Sequence, residues 1–215
     1  MNQDFFLTIQ DELFYLLPQK AIFWENPKAL LISDLHLGKA THFSKNGIGL
    51  PANGSKQDLI KLEELISSYN ANTVFFLGDL FHSNLNSEWN WFKTFVMEHK
   101  YVKFILLKGN HDIIPVKFFE EIKVEVLNAY KFKNILLSHE PISANNTFCI
   151  SGHIHPGVVL KGKGKQKLKL PCFYITEKLC VMPAFGSLTG LEIVYPKEGE
   201  KIYAIANNSL IEYKN

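Results

Sequence analysis

The sequence predicts an α/β protein with a mixed β-sheet core and helices on its outer faces. Over the first half of the chain, short apolar runs alternate with longer stretches of helical spacing. From residue 124 onward the helical patterns stop and short strands follow one another. The alternating half indicates parallel strands joined by crossovers, and the later run of strands indicates a larger mixed sheet or a second sheet packed on the first.

Each element follows from one of these two patterns. Two apolar runs, Glu12 to Leu17 and Ala21 to Trp24, predict a hairpin, and the unbroken run Ala29 to Ile32 predicts a buried strand. Ser55 to Tyr69 is predicted as a helix, because Ser55 and Asp58 approximate a capping box before a stripe of leucines. The other predicted helices are 87–99 and 116–122, and the other predicted strands are 73–77, 101–107, 124–127, 134–138, 147–151, 157–160, 168–175, 179–182, 191–195 and 201–206.

Composition places the chain among ordinary globular proteins. Its 215 residues are 47% hydrophobic and 20% charged, with a formal net charge of +2, which is too mild to indicate a nucleic-acid partner. We expect one domain, residues 1–215, because no linker or repeat interrupts the sequence. Without a bilayer-spanning apolar run or a basic secretory signal, we expect a cytoplasmic protein that makes no membrane contact. Cys149, Cys172 and Cys180 lack metal-site spacing and are expected to be reduced and buried.

Five of the predicted strands end in residues that can bind a metal. The first is followed by Asp34 and His36, which can reach one point because alternate side chains of a strand share a side. The other four strand ends carry, in order, Gly78-Asp79, Gly109-Asn110-His111-Asp112, Ser138-His139 and Gly152-His153-Ile154-His155. Oxygen and nitrogen ligands without thiolates suit manganese, iron or zinc. Together these strand ends predict a divalent-metal site.

These blocks, in this order, resemble the calcineurin-like metallophosphoesterases, whose pattern is DxH, GD, GNHD or GNHE, H and GHxH. The resemblance implies a four-layer α/β/β/α sandwich and two divalent metal ions. The implied ligands are Asp34, His36, Asp79 and His155 at the first ion, and Asp79, Asn110, His139 and His153 at the second. It also implies that a hydroxide held between the ions attacks phosphorus. His111 would steady the transition-state charge or protonate the leaving oxygen, and Asp112 would fix the His111 tautomer.

Residues outside the metal blocks resemble one bacterial group, the ligase-associated DNA damage response endonuclease (PdeM) branch. They include the segments 21–24, 34–43, 78–83, 152–156, 170–173 and 182–187. This resemblance implies a manganese-dependent phosphodiesterase that cuts DNA in the damage response, associates functionally with a DNA ligase and a helicase, and forms a homodimer. Lys39, His42 and His82 are candidate substrate contacts because they lie close in sequence to the ligands.

Two other functions fit the same motifs. The chain could be a phosphomonoesterase or a small-molecule phosphodiesterase acting on nucleotides, or a metal-binding scaffold without turnover. An open metal cleft with a basic margin favours DNA, whereas a capped pocket favours a small ester. Residues 161–169 carry five lysines, which are either a solvated loop or a contact to a phosphate backbone.

Overall fold

A computed structural model describes residues 5–39, 54–82, 85–162, 164 and 166–213. Two β-sheets pack face to face, and helices cover the outer face of the first sheet. The predicted mixed α/β class with mixed sheets is confirmed. Within the described part of the chain, no helix is long and apolar enough to cross a membrane.

The first sheet has seven strands in chain order, β1 to β7. Strands β1 to β4 are antiparallel neighbours, whereas β4 to β7 are parallel and connected by crossovers. The strands are β1 (Phe6–Ile9), β2 (Glu12–Leu17), β3 (Ala21–Trp24), β4 (Ala29–Ile32), β5 (Thr73–Phe76), β6 (Lys103–Leu107) and β7 (Val124–Leu127). The helices are α1 (Gly54–Tyr69), α2 (Ser87–Glu98) and α3 (Val116–Glu121).

The second sheet has the order β14-β11-β12-β13-β10-β9-β8, with β15 pairing β12 and β16 pairing β15. Its parallel centre is β9, β10 and β13. The strands are β8 (Ala129–Phe132), β9 (Ile135–Ser138), β10 (Phe148–Ser151), β11 (Pro156–Lys161), β12 (Lys167–Ile175), β13 (Leu179–Val181), β14 (Glu192–Ile193), β15 (Lys201–Ala206) and β16 (Ser209–Glu212).

Strand β4 explains why the central runs are continuously apolar. Ala29 and Leu31 pack between the two sheets, whereas Leu30 and Ile32 pack against the helices. All four are fully buried, because both faces of the strand are covered. The same alternation continues through β5 and β6, so the first sheet is a rigid platform whose strand ends are fixed from both sides.

The structure corrects two parts of the element prediction. Strands β1, β8 and β16 were not predicted, because each is an edge strand with mostly exposed or half-exposed residues and thus a weak apolar pattern. Helix α1 begins one residue before Ser55, so the predicted capping box does not mark its start. Asp58, the other half of that box, instead accepts hydrogen bonds from the backbone N–H and hydroxyl of Ser187.

The cysteine prediction is confirmed. Cys149, Cys172 and Cys180 are free and buried in the second sheet. Burial raises the pKa of the Cys172 thiol to about 12. The Cys172 thiol is therefore a protonated core group at neutral pH rather than a nucleophile or a metal ligand.

Candidate metal centre

The polar residues that follow the strands meet at one end of the sandwich. The turns after β4 and β5 run side by side, because Asp34 N–H donates to Gly78 O at 3.2 Å and His36 N–H donates to Asp79 O at 2.9 Å. The second sheet joins this turn through His153, whose backbone N–H donates to the Asp34 carboxylate at 3.0 Å. Thus both sheets contribute to one polar cluster.

One group of candidate ligands is Asp34, His36 and His155. One ligand atom from each lies within 4.8 Å of the other two. The Asp34 carboxylate is fully buried, and its Oδ1 lies 3.2 Å from His155 Nε2. The first metal block and the last one, far apart in sequence, therefore face each other directly.

A second group consists of Asp34, Asp79 and His139, again with ligand atoms within 4.8 Å of one another. His139 Nε2 lies 3.5 Å from Asp79 Oδ1 and 3.1 Å from His153 Nδ1. The other ring nitrogen of His139 donates to Leu77 O at 3.0 Å. Because a carbonyl can only accept, this bond fixes the tautomer with an Nε2 lone pair directed into the cluster.

The donor set fits a divalent cation. Among the described residues, His36 Nε2 and His155 Nε2 are buried without a hydrogen-bond partner, which is costly unless another group binds them. Burial, reinforced by the nearby imidazoles and Lys39, lowers the pKa of His36 to about 2, so its ring is neutral at physiological pH. A divalent metal bound between buried carboxylates and the free nitrogens of imidazole rings would stabilise both kinds of group.

Two carboxylates have the placement that a bridging ligand needs. Asp79 Oδ2 lies 3.8 Å from His36 Nε2, while its Oδ1 faces His139, so the side chain reaches both groups. Asp34 belongs to both groups, and its Oδ1 lies 3.2 Å from His155 Nε2 and 3.9 Å from His139 Nδ1. The two groups therefore share Asp34, and Asp79 reaches from the second group toward His36.

Five of the candidate ligands have an unusual backbone conformation. Positive φ angles occur at Asp34 (51°), His36 (49°), Asp79 (50°), His153 (70°) and His155 (53°). The left-handed region disfavours residues with a Cβ, and such strain persists only where the surroundings impose it. Its concentration in five candidate ligands marks this turn cluster as a functional site.

Glycines let the turns approach one another. Gly78 has φ of +80°, and a Cβ there would overlap the His139 ring and stand 2.7 Å from the His139 Cβ. A Cβ at Gly152 would stand 2.7 Å from the Ser33 Cβ and overlap the Asp34 carboxylate. At Gly109 it would overlap Asp79. Each glycine thus leaves the space that a ligand side chain occupies.

The turn after β6 brings His111 to the rim of the cluster. Its backbone N–H donates to Asp79 Oδ1 at 2.9 Å, and its exposed ring lies 5.6 Å from the His36 ring, centroid to centroid. Asn110 precedes it and is exposed. An imidazole at the open side of a metal site can meet a substrate without being a ligand.

Asp112 has different partners from those expected. Its two carboxylate oxygens accept hydrogen bonds from Phe81 N–H at 3.1 Å and Gly109 N–H at 2.9 Å. Among the described residues, none of its hydrogen bonds goes to the His111 ring. Burial raises the pKa of this carboxyl group, against the opposing effect of these backbone donors. Asp112 therefore ties the β5 turn to the β6 turn, which holds His111 in place through the backbone.

Two of the three candidate substrate contacts lie at the cluster. His82 Nδ1 is 3.4 Å from His36 Nδ1, and the His82 ring is 5.0 Å from the His111 ring. Lys39 is partly buried, and burial lowers its pKa while the nearby Asp79 opposes that change. His42 lies outside the described residues.

Sequence reasoning did not assign a role to the loop after β13. Phe185 N–H donates to Ser33 O at 2.8 Å, Gly186 N–H to Asp34 O at 3.2 Å, and Ser33 Oγ to Pro183 O at 3.0 Å. Lys61 of α1 supports this loop by donating to Phe185 O at 3.1 Å. The loop thus braces the strained Asp34 turn from behind. The glycine within Pro183-Ala184-Phe185-Gly186 was the sequence feature that could have indicated this close backbone contact.

Comparison with known proteins identifies the family. A family model described as calcineurin-like phosphoesterase matches residues 27–175. The chain belongs to this family. It is therefore a hydrolase of phosphoester bonds that uses divalent metal ions, and the superfamily predicted from the five motifs is confirmed.

Solved structures add a more specific likeness. The chain is similar to a Pseudomonas putida nuclease, MPE, with 26% sequence identity and a TM-score of 0.83, covering 97% of this chain and 100% of that one. This agrees with the predicted endonuclease branch. A phosphoesterase from Escherichia coli, YfcE, also matches, with 15% identity, 85% and 96% coverage and a TM-score of 0.44. The search of curated proteins finds no match.

Proposed function

We propose that this phosphoesterase is a two-metal phosphodiesterase that cuts DNA. The observation that carries the proposal is the pair of overlapping ligand groups, which share Asp34 and are joined by Asp79. A site with two such groups suits two ions rather than one. The likeness to a nuclease over almost the entire length supports DNA as the substrate.

The first ion would be held by Asp34, His36, Asp79 and His155, and the second by Asp79, Asn110, His139 and His153. The described distances place Asp34 with His36 and His155, and Asp79 beside both His36 and His139, which supports this division for those five ligands. The set contains only oxygen and nitrogen donors. Manganese suits such donors, as do iron and zinc. Bound there, the ions would lower the pKa of water and polarise a phosphoryl oxygen.

The chain's own residues would then position the substrate and offset its negative charge. The His111 ring stands at the rim, where it can donate a proton to the leaving oxygen or stabilise charge on the phosphoryl group. His82 lies beside both this ring and His36, and Lys39 adds positive charge nearby. These groups favour an anion at the open side of the cluster.

The wider biological role extends the proposal. We place the enzyme in the DNA damage response, in functional association with a DNA ligase and a helicase, as a cytoplasmic homodimer. The resemblance of the segments outside the metal blocks supports this role.

Substrate choice tests the proposal. Hydrolysis of a bis-aryl phosphate, a mono-aryl phosphate, single-stranded DNA and nicked duplex DNA should be compared with manganese, zinc and magnesium. We expect turnover of the bis-aryl ester and of DNA, highest with manganese. Preference for the mono-aryl ester, with DNA left intact, would instead identify a phosphomonoesterase.

A further inference from the structure

The hairpin that follows His155 carries a row of lysines on one face. Strands β11 and β12 are antiparallel, with Lys161 opposite Lys167 and Val159 opposite Lys169. Directly opposed residues share a face, and so do residues two apart in a strand, so the three lysines lie on the same side of the hairpin. All three are exposed. Lys163 and Lys165 lie outside the described residues.

This arrangement costs stability in the isolated chain. Like charges directly opposite one another destabilise a pair of strands, and Lys161 and Lys167 are such a pair. Within the described part of the chain, none of the three lysines forms an ion pair with a carboxylate, whereas Lys103 and Lys133 each do at 2.7 Å. The lysine face, defined as Lys161, Lys167 and Lys169, is therefore a concentration of positive charge that no carboxylate of the described residues pairs.

The lysine face extends from the metal end of the sandwich. Further along β12, Phe173 and Ile175 are on the same face by strand alternation, and both pack between the two sheets. Strand β13 pairs with β12 only at residues 174 and 175, so the earlier half of β12 runs past the end of β13. The hairpin thus projects beyond the end of the sandwich where β10 leads into His153, with its lysines on the side that faces the first sheet.

Strand geometry gives the distance of these charges from the metal cluster. Strand β11 begins at Pro156, directly after the candidate ligand His155. At about 3.3 Å per residue, Lys161 and Lys167 lie about 17 Å along the hairpin from Pro156, and Lys169, opposite Val159, lies about 10 Å along it. Along the helix axis of B-DNA, the phosphates of one strand rise by about 3.4 Å per nucleotide, so a strand that runs beside the hairpin covers these distances in about three and five nucleotides.

We propose that the lysine face binds the phosphate backbone of the DNA substrate, about three to five nucleotides from the phosphate at the metal cluster. The inference rests on the proposed function, because it needs a polymeric substrate. It implies that the enzyme distinguishes substrates by length: a strand that ends before the hairpin gains nothing from these lysines. A longer strand gains affinity through the release of counterions from its phosphates.

The test replaces all three lysines and compares them with three others. The variant carries Lys161→Gln, Lys167→Gln and Lys169→Gln. The control carries Lys131→Gln, Lys178→Gln and Lys201→Gln, which remove the same charge from exposed positions in edge strand β8, in the β12–β13 turn and at the start of β15. Circular dichroism checks that both fold.

Binding of a fluorescently labelled DNA duplex of 16 base pairs is measured by fluorescence anisotropy, in EDTA and over a series of NaCl concentrations. Each phosphate contact contributes about 0.9 to the slope of log affinity against log salt, so losing three should flatten it by up to about 2.7. The control should keep the native slope. A lysine-face variant with the native slope, or a control that is flattened equally, would overturn the inference.

Turnover gives an independent readout. With manganese, the lysine-face variant should hydrolyse a bis-aryl ester and a dinucleotide as fast as the native enzyme does. Its rate should fall below the native rate as the DNA strand lengthens from four to eight nucleotides. An equal deficit at all lengths would mean that the substitutions damage the metal centre. If the native protein hydrolysed no phosphodiester, the proposed function would fail while the salt slopes still tested the lysine face.

Discussion

Gly78→Ala adds only one methyl group but should weaken both metal binding and stability. Gly199→Ala is a matched control for it. Gly78 and Gly199 have almost the same positive φ, +80° and +82°. A Cβ at Gly199 meets nothing within 4 Å, whereas a Cβ at Gly78 overlaps the His139 ring. Both substitutions carry the cost of an L-residue in the left-handed region, about 1–2 kcal/mol. The difference between them therefore isolates the clash.

The size of that difference follows from the His139 contacts. The new methyl group would lie 2.7 Å from the His139 Cβ, and ordinary contact begins at 3.4 Å, so the imidazole must retreat by roughly 0.7 Å or more. Overpacking of this kind costs about 1–3 kcal/mol. The retreat also breaks the bond from His139 Nδ1 to Leu77 O that fixes the ring. Loss of such a supporting bond lowers metal affinity by about 10–100-fold.

Urea denaturation, metal titration calorimetry and turnover of a bis-aryl ester measure the three effects. Gly199→Ala should lose about 1–2 kcal/mol of unfolding free energy and keep native metal binding and rate. Gly78→Ala should lose about 1–3 kcal/mol more, with weakened manganese binding at one site. The reasoning is refuted if the two variants have equal stability and Gly78→Ala binds two metal ions with native affinity.

Four further predictions concern single side chains. Asp79→Asn should abolish turnover and weaken both metal sites, as measured by metal content per chain; a variant with two tightly bound ions and full activity would contradict the bridging role. His111→Ala should keep its metal and its fold but lose roughly 10²–10⁴-fold in rate, and the loss should shrink for esters with very good leaving groups if the ring is a general acid. Asp112→Ala should lower the unfolding free energy by about 2–4 kcal/mol, because it leaves two buried N–H groups without acceptors; a change below 1 kcal/mol in urea denaturation would rule this out. Burial lowers the pKa of Lys61 from 10.5 to about 8, against the opposing effect of Asp58. Between these two pH values the amine is protonated in the unfolded chain but not in the folded one, so the free energy of unfolding should rise with pH in that window. Lys61→Met should remove this pH dependence, and an unchanged pH profile in urea denaturation would show that the amine is solvated.

The central strands and the metal blocks could be predicted because each depends on a local pattern. The run Ala29 to Ile32 is apolar at every position since both faces of β4 are covered, and the polar residues that interrupt such runs stand out. The edge strands β1, β8 and β16 could not be predicted, because they bury too little to leave a pattern. Nor could the partners of Asp112 or the support of Asp34 by Gly186, since both depend on backbone groups distant in the chain.

The cluster takes its side chains from both sheets, and this couples metal binding to the integrity of the sandwich. Asp34, His36 and Asp79 follow strands of the first sheet, whereas His139, His153 and His155 follow strands of the second. An ion bound by both sets acts as a cross-link that exists only in the folded protein, so its binding free energy adds to the free energy of unfolding. Chelation should therefore let the two sheets separate at this edge first. Amide hydrogen exchange in β9 and β10 should accelerate while the face of the first sheet that packs on the helices stays protected.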